Sequence, residues 1–353
     1  MSDLDFKISG QIFSVWEKAE VFRTMAALSG SFAASTSNFF DGDDAAWQIN
    51  VNDPFILQAD NTKLLTGYLD DCNIDYGPEF HQVMFKGRDK TSDLIDCSYE
   101  FSPNEWKGQT IQRLFEIIAG KYSIAISVDD SVNSIVAKTI PTFKADEGDM
   151  VSDILSRLCK DYGFLAYTIG DGKLLLTSSS SASQSTDPII LGQNATRGSL
   201  QQSNKDRYSE IHVKGVGNGS PNKGITDFTE PYGMASDGVI SRTRPLVVFA
   251  DGPTDSGVCR QRAKWESMLR AGYSRRLWYT IPGWEQSDGK IWDINSLVRV
   301  KDSFLELDTT MLIDSIRYVM QIEGGQYCLI GVVHKDTYTV ATTAGKIKMR
   351  FDG

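Results

Sequence analysis

Phe80-His81-Gln82-Val83-Met84-Phe85-Lys86-Gly87-Arg88-Asp89-Lys90-Thr91-Ser92-Asp93-Leu94-Ile95-Asp96-Cys97-Ser98 is the stretch whose pattern organises the rest of the chain. Its first half alternates as a strand does, with Gln82, Met84 and Lys86 on one side and His81, Val83 and Phe85 on the other. Gly87 predicts a break in that strand. Arg88-Asp89-Lys90-Thr91 then predicts a charged turn with no apolar residue to bury, and Asp93 to Ser98 resumes a partly buried path.

On the N-terminal side the chain reads as short strands separated by turns: Phe6 to Ile8, Ile12 to Trp16, Val21 to Met25, Ser31 to Ser37, Trp47 to Val51, Leu64 to Leu69 and Asn73 to Tyr76. Asp41-Gly42-Asp43-Asp44 and Asn52-Asp53-Pro54 supply turns between them. Many short strands at close spacing predict a barrel or sandwich in preference to a parallel sheet.

On the C-terminal side the period changes near Trp106. Thr110 is a candidate N-cap, Ile111, Leu114, Phe115 and Ile118 share one helical face, and Gly120 is placed for a left-handed C-terminal cap, with a strand from Tyr122 to Val128. The unit recurs: Asp149 as cap, Ile154, Leu155 and Leu158 on one face, Gly163 as terminator, and a strand from Phe164 to Ile169 turning at Asp171-Gly172 into Lys173 to Thr177. This predicts a small α+β domain. Ser178 to Thr186 is nearly all serine and reads as an exposed linker.

Strands return at Ser209 to Lys214 and Pro245 to Phe249, with a Gly- and Asn-rich loop from Gly215 to Gly238 between them. A helix over Asp255 to Ala271 precedes strands at Arg276 to Ile281, Leu297 to Lys301, Thr310 to Val319 and Gln326 to Val333. Setting Gly331 on Gly87, an offset of 244 residues, also places Gln326 on Gln82 and Asp314 on Asp70. The spacing predicts that the second β region repeats the first.

Composition sets bounds. A chain of 353 residues predicts two to three domains, and 41% apolar with 23% charged residues describes an ordinary globular protein. A formal charge of −10 argues against a surface that grips nucleic acid or an anionic membrane. No apolar run is long enough to span a bilayer, and Met1-Ser2-Asp3-Leu4-Asp5 is acidic where a signal peptide is basic, so a cytosolic origin without membrane insertion is expected. Cys72, Cys97, Cys159, Cys259 and Cys328 never form Cys-x-x-Cys and read as small buried residues.

No catalytic constellation is visible. His81, His212 and His334 lie far apart and read as sheet histidines, and no nucleophile elbow, zinc motif or P-loop occurs. Gly215-Val216-Gly217-Asn218-Gly219 is followed by Ser220-Pro221, which cannot open the helix a dinucleotide loop needs. The doublets Asp43-Asp44 and Asp70-Asp71 point to opposite faces of a strand and read as turns or rims, not as paired carboxylates of a glycosidase. No enzyme activity, cofactor or metal is expected. Arg260, Arg262, Lys264 and Arg270 form the one basic concentration, a solvated helix face or a partner-docking surface. Trp278, Trp284 and Trp292 fit core packing, with interface anchoring as the sharper alternative.

Gly87, Arg88, Asp89, Thr91, Asp93, Leu94, Asp96, Cys97 and Ser98 together resemble the signature of the Mu-type baseplate hub proteins of contractile-tailed phages, also grouped with the late control D family. The resemblance extends to Trp16, Glu147-Gly148, Gly283-Trp284 and Gly289 to Asn295. It implies a mainly β fold with an α+β insert: a first β-barrel domain over 1–98, a small α+β domain over 99–178, a second β-barrel domain with one inserted helix over 179–335, and a C-terminal tail over 336–353. It also implies a ring-shaped homotrimer in the virion tail baseplate, made in the bacterial host cytoplasm, that joins a sixfold tail tube to a threefold spike. Tail tube, spike and other baseplate proteins would be its partners. DNA would pass without specific binding, along a wall to which Asp70, Asp71 and Asp75 are candidates. The alternatives are a secreted or virion-borne glycan-binding or glycan-cleaving β protein and a type VI secretion spike subunit, which would continue into a spike domain beyond Lys346 to Gly353.

Overall fold

A computed structural model describes residues 4–13, 16–37, 49–60, 62–77, 81–216 and 230–339. The acidic turn at 41–44 and the tail beyond 339 lie outside the described residues. Among the described residues seven strands form the N-terminal β region: β1 (Leu4–Ile8), β2 (Gln11–Phe13), β3 (Lys18–Thr24), β4 (Ser31–Ser37), β5 (Pro54–Ala59), β6 (Thr62–Tyr76) and β7 (His81–Asp89). Burial alternates along β1 and β5, so one face of each packs on the core and the other does not. Where two strands are expected before Tyr76, one 15-residue strand runs through. A bulge at Asp70 shifts its register against β7 without ending it.

Gly87 likewise does not break β7. It pairs with Phe32 on β4 and Leu69 on β6, and a Cβ there would fall 2.7 Å from the Phe32 ring and 2.8 Å from the Tyr68 carbonyl oxygen. Its lack of a side chain serves close approach, not a turn. The charged turn that follows is equally different from the surface loop its polarity suggests: Asp89 and Thr91 are fully buried.

The middle of the chain comprises α1 (Asp93–Asp96), β8 (Glu105–Thr110), α2 (Ile111–Gly120), β9 (Ile126–Val128), α3 (Asn133–Val136), β10 (Thr139–Lys144), α4 (Val151–Tyr162), β11 (Leu165–Thr168) and β12 (Leu174–Thr177). Thr110 caps α2 by accepting from the Arg113 N–H, and Ile111, Leu114, Phe115 and Ile118 are buried. Gly120 is the last helical residue and not a left-handed cap; Ser123, at φ 56°, takes the positive φ in the turn beyond. Asp149 does not cap α4 either, because its carboxylate is turned back to the Asp146 N–H. Gly163 does end α4 in the left-handed region, at φ 70° and ψ 49°. The two helices close a second core with Tyr99, Trp106 and Phe164.

Beyond it come β13 (Ser183–Gln184), β14 (Ile189–Ile190), β15 (Arg197–Gln202), β16 (Glu210–Val216), β17 (Tyr232–Ser236), β18 (Pro245–Pro253), α5 (Ser256–Tyr273), β19 (Arg275–Pro282), β20 (Ser296–Asp302), β21 (Leu307–Gln321) and β22 (Gly325–His334). The serine run is not an exposed linker. Ser179 and Ser185 are buried, the Thr177 and Ser181 hydroxyls bond at 2.8 Å, and Ser183–Gln184 pairs in parallel with β20. The expected glycine-rich loop contains β17, which forms a separate sheet in the order β17-β16-β18 beneath α5; residues 217–229 of that loop lie outside the described residues.

The two β regions join in one sheet, of fourteen strands among the described residues, because β21 pairs with β3 from Ser315 opposite Thr24 to Gln321 opposite Lys18. On either side of that seam the strand orders match: β5-β6-β7-β4-β3 in the first half, β20-β21-β22-β19-β15 in the second. The bulge at Asp70 recurs at Asp314, at the same 244-residue offset. Gly331 lies against the Trp278 ring as Gly87 lies against the Phe32 ring. The small sheet and α5 are inserted between β15 and β19.

Candidate functional site

The motif residues form a buried latch between the large sheet and the middle core. Asp89 ends β7 and its carboxylate accepts from the Thr91 N–H at 3.3 Å and from the Thr66 N–H at 3.4 Å. Burial pushes the Asp89 carboxyl above the usual range, and these hydrogen bonds oppose the rise. The Thr91 hydroxyl donates to the Leu28 carbonyl at 2.7 Å. Leu94, on α1, is fully buried in the second core, so this short segment contacts both cores.

Arg88 spans the bulge. Its Nε and Nη2 meet the Asp70 carboxylate at 2.7 and 3.1 Å, and Nη1 and Nη2 meet Asp96 at 3.0 and 2.6 Å. The hydrogen bonds from Arg88 hold the Asp96 carboxyl below its usual range. Asp93 goes the other way, raised first by burial and then by the neighbouring Asp96 charge. Ser98 bridges to Met150 at the start of α4, and the Cys97 N–H closes the last turn on Asp93. Because the Arg88 cluster is about one-third exposed at the arginine, Arg88→Ala is expected to cost only about 1 kcal/mol. A double-mutant cycle with Asp70→Ala would measure the coupling, and a value near zero would show that the clamp contributes nothing.

The basic helix does not present one charged patch. On α5 Arg262 is buried, bonded to Asp161 of α4 at 2.7 Å and to Glu266 at 3.1 Å. Arg270 bonds Glu266 at 3.2 Å and lies over the Tyr208 ring. These two hold α5 against its neighbours; Arg260 is exposed and Lys264 half-exposed on another side. Asp71 and Asp75 are exposed on β6, while Asp70 is engaged by Arg88. Asp70, Asp71, Glu20, Lys86 and Arg317 line an open cleft of mixed charge.

The His212 ring is bonded to Tyr232 and Glu210, and burial lowers the pKa of His334. Among the described residues no three His, Cys, Asp or Glu side chains are placed to share a metal ion. All five cysteines are free; Cys259 and Cys328 are buried, the other three half-buried. Trp284 and Trp292 are core residues, whereas Trp278 packs on the Arg276 guanidinium.

Sequence patterns missed several buried ionic groups. Arg276 reaches Asp314 at 2.8 Å beneath the second bulge, where Tyr338 and Ser315 also donate to the carboxylate. Arg23 is buried against Asp293 at 2.7 Å. Only Asp314 carried a signal, its alignment with Asp70.

Three family models match in succession. Residues 3–89 match the Mu phage baseplate assembly protein GpP-like N-terminal domain, 91–178 the second domain of baseplate hub protein gp44-like proteins, and 255–341 the fourth domain of Mu phage baseplate assembly protein GpP. The chain is 26% identical over 339 residues to baseplate hub protein gp44 of Escherichia phage Mu, spanning 95% of this chain and 88% of that protein. It superposes on the 43 kDa tail protein of prophage MuSo2 from Shewanella oneidensis with a TM-score of 0.82 and 27% identity, over 96% of this chain and 99% of that one. A tail protein from Neisseria meningitidis MC58 shares the fold, with a TM-score of 0.81 at 16% identity, over 96% and 98% of the two chains.

Proposed function

Because the chain belongs to the Mu-type phage tail baseplate hub family, we propose that it builds the hub as a homotrimeric ring joining a sixfold tail tube to a threefold central spike. The chain is a baseplate hub protein of a Mu-like phage tail, mainly β in fold. What carries the finer reading is the repeated strand order on the two sides of the β3–β21 seam. Three copies of a chain with two such halves offer six similar faces to one partner and three to the other, which resolves the symmetry mismatch.

The division into β units over 1–98 and 179–335 flanking an α+β unit over 99–178 belongs to the same proposal, as do synthesis in the host cytoplasm and a purely structural, non-hydrolytic role. Tube, spike and other baseplate proteins are its partners. With −10 on each chain, DNA passes through the ring without being held, and the exposed Asp71 and Asp75 contribute to the wall.

Sedimentation at micromolar concentration is expected to give a single species of three times the 39.2 kDa chain mass. A monomer alone would overturn the ring.

A further inference from the structure

The two halves of the large sheet are alike in strand order and unlike at one end. β6 and β21 run in the same direction, because four antiparallel pairings, through β3, β4 and β7, separate them. The hairpins that start these strands therefore stand at the same end of the sheet. In the first half Ala59 pairs with Thr62, and the two residues between them, Asp60 and Asn61, are polar. In the second half Asp302 pairs with Leu307, and four residues, Ser303 to Glu306, make the connection. At the opposite end the β6–β7 and β21–β22 connections are nearly equal, four residues against three. Both inserted units leave the sheet at the unlike end as well. β7 runs into α1 beside Gly67, near the start of β6, and α5 runs into β19, which starts beside the end of β22.

The longer connection presents Phe304, at 87% the most exposed large apolar side chain among the described residues. One exposed apolar residue needs no explanation by itself. What distinguishes this one is the support beneath it. One oxygen of the buried Asp302 carboxylate accepts from the Phe304 N–H at 3.0 Å and the Leu305 N–H at 3.1 Å, and the other accepts from the buried Tyr279 hydroxyl at 2.8 Å. Leu305 packs on the core. Glu306 takes φ 49°, a left-handed conformation that a non-glycine residue keeps when its surroundings fix it. The backbone around Phe304 is thus held in place, and a partner that covers the phenyl group does not have to order the loop first.

We propose that Phe304 is the anchor by which the hub holds its threefold spike, seated in an apolar pocket of that partner. This rests on the trimeric reading above and adds the contact residue and the end of the sheet that carries it. With three chains around the axis, the short polar turn and the Phe304 tip alternate, so six similar places offer three aromatic anchors. A sixfold tube would meet an anchor at every second site, whereas a threefold partner meets one at each of its own. The tube is better matched by the opposite end, where the two hairpins are alike. A single well-seated aromatic side chain can carry a large share of the energy of an interface.

Binding of the full chain to the purified spike protein and to the purified tail-tube protein of its own phage tests this, with Phe304→Ser compared with Ile322→Ser. Ile322, 70% exposed in the β21–β22 connection, controls for loss of an exposed apolar group at the other end. Both variants are expected to remain trimeric by sedimentation. Phe304→Ser is expected to weaken spike binding at least about tenfold and to leave tube binding unchanged, while Ile322→Ser leaves spike binding unchanged. Spike binding that survives Phe304→Ser, that falls equally with Ile322→Ser, or tube binding that falls instead overturns the anchor and leaves the trimer standing. A Phe304→Ser chain that drops to monomer also overturns it, because the phenyl group then lies against a neighbouring copy. A parent trimer that binds no spike protein overturns the anchor and the joining role together, and a monomeric parent overturns the trimeric reading itself.

Discussion

Gly67→Ala is expected to destabilise the protein by about 3 kcal/mol or more, at the upper end of overpacking substitutions. Gly67 lies on β6 directly opposite Asp89, and a Cβ there would fall 1.9 Å from the Arg88 carbonyl oxygen and 2.8 Å from the Asp89 carbonyl carbon. Those are main-chain atoms at the base of the latch, so no rotamer relieves the clash. β6 and β7 must separate where the buried Asp89 and Thr91 are held. Gly120→Ala is the contrast: its Cβ would meet nothing within 4 Å at the end of α2, and it is expected to be neutral or to stabilise by about 0.5 kcal/mol. Urea unfolding midpoints decide the matter. Equal midpoints for Gly67→Ala and the parent chain would mean that the latch is not tightly packed.

Arg207→Met is expected to cost about 3–5 kcal/mol, because it strands a buried carboxylate. Arg207 meets Asp237 at 2.5 and 3.1 Å and the Ser274 hydroxyl at 3.1 Å, and the side chains of the pair are 6% and 1% exposed. The three groups tie the end of β17 to the end of α5. Removing the arginine leaves Asp237 only the Val239 N–H, at 3.1 Å. Removing both charges, as Arg207→Met with Asp237→Leu, should return most of the loss, since a buried pair is costly to break but not to replace. Thermal unfolding of the single and double variants measures both. A single variant as stable as the parent would show that water already reaches the pair.

What was legible in the sequence was what repeats locally. The faces of α2 and α4, the helix α5 and the strands β19 to β22 follow from period and capping chemistry, and they are present. What was not legible depends on distant partners. β5 was missed because Phe55-Ile56-Leu57 is a continuous apolar run with no alternation to read. Asp89 and Thr91 look like a surface turn, and it takes the Leu28 carbonyl, the Thr66 N–H and the Thr168 side chain, brought from other segments, to offset their burial. Arg262 looks like part of a solvated face until Asp161, 101 residues earlier, is placed beside it. The motif itself was found, but its role as a joint between two cores needed the fold.

The β3–β21 seam also sets an order in time. Thr24 and Ser315, whose hydroxyls meet at 3.1 Å across it, are 291 residues apart in the chain. At about 5–20 residues per second, a ribosome adds the second roughly 15–60 s after the first. Throughout that interval β3 has β4 on one side and no native partner on the other, while β4, β7, β6 and β5 can already assemble. The first half therefore emerges with one long unfinished edge, and the nascent chain must keep that edge from foreign strands until its own C-terminal hairpin arrives.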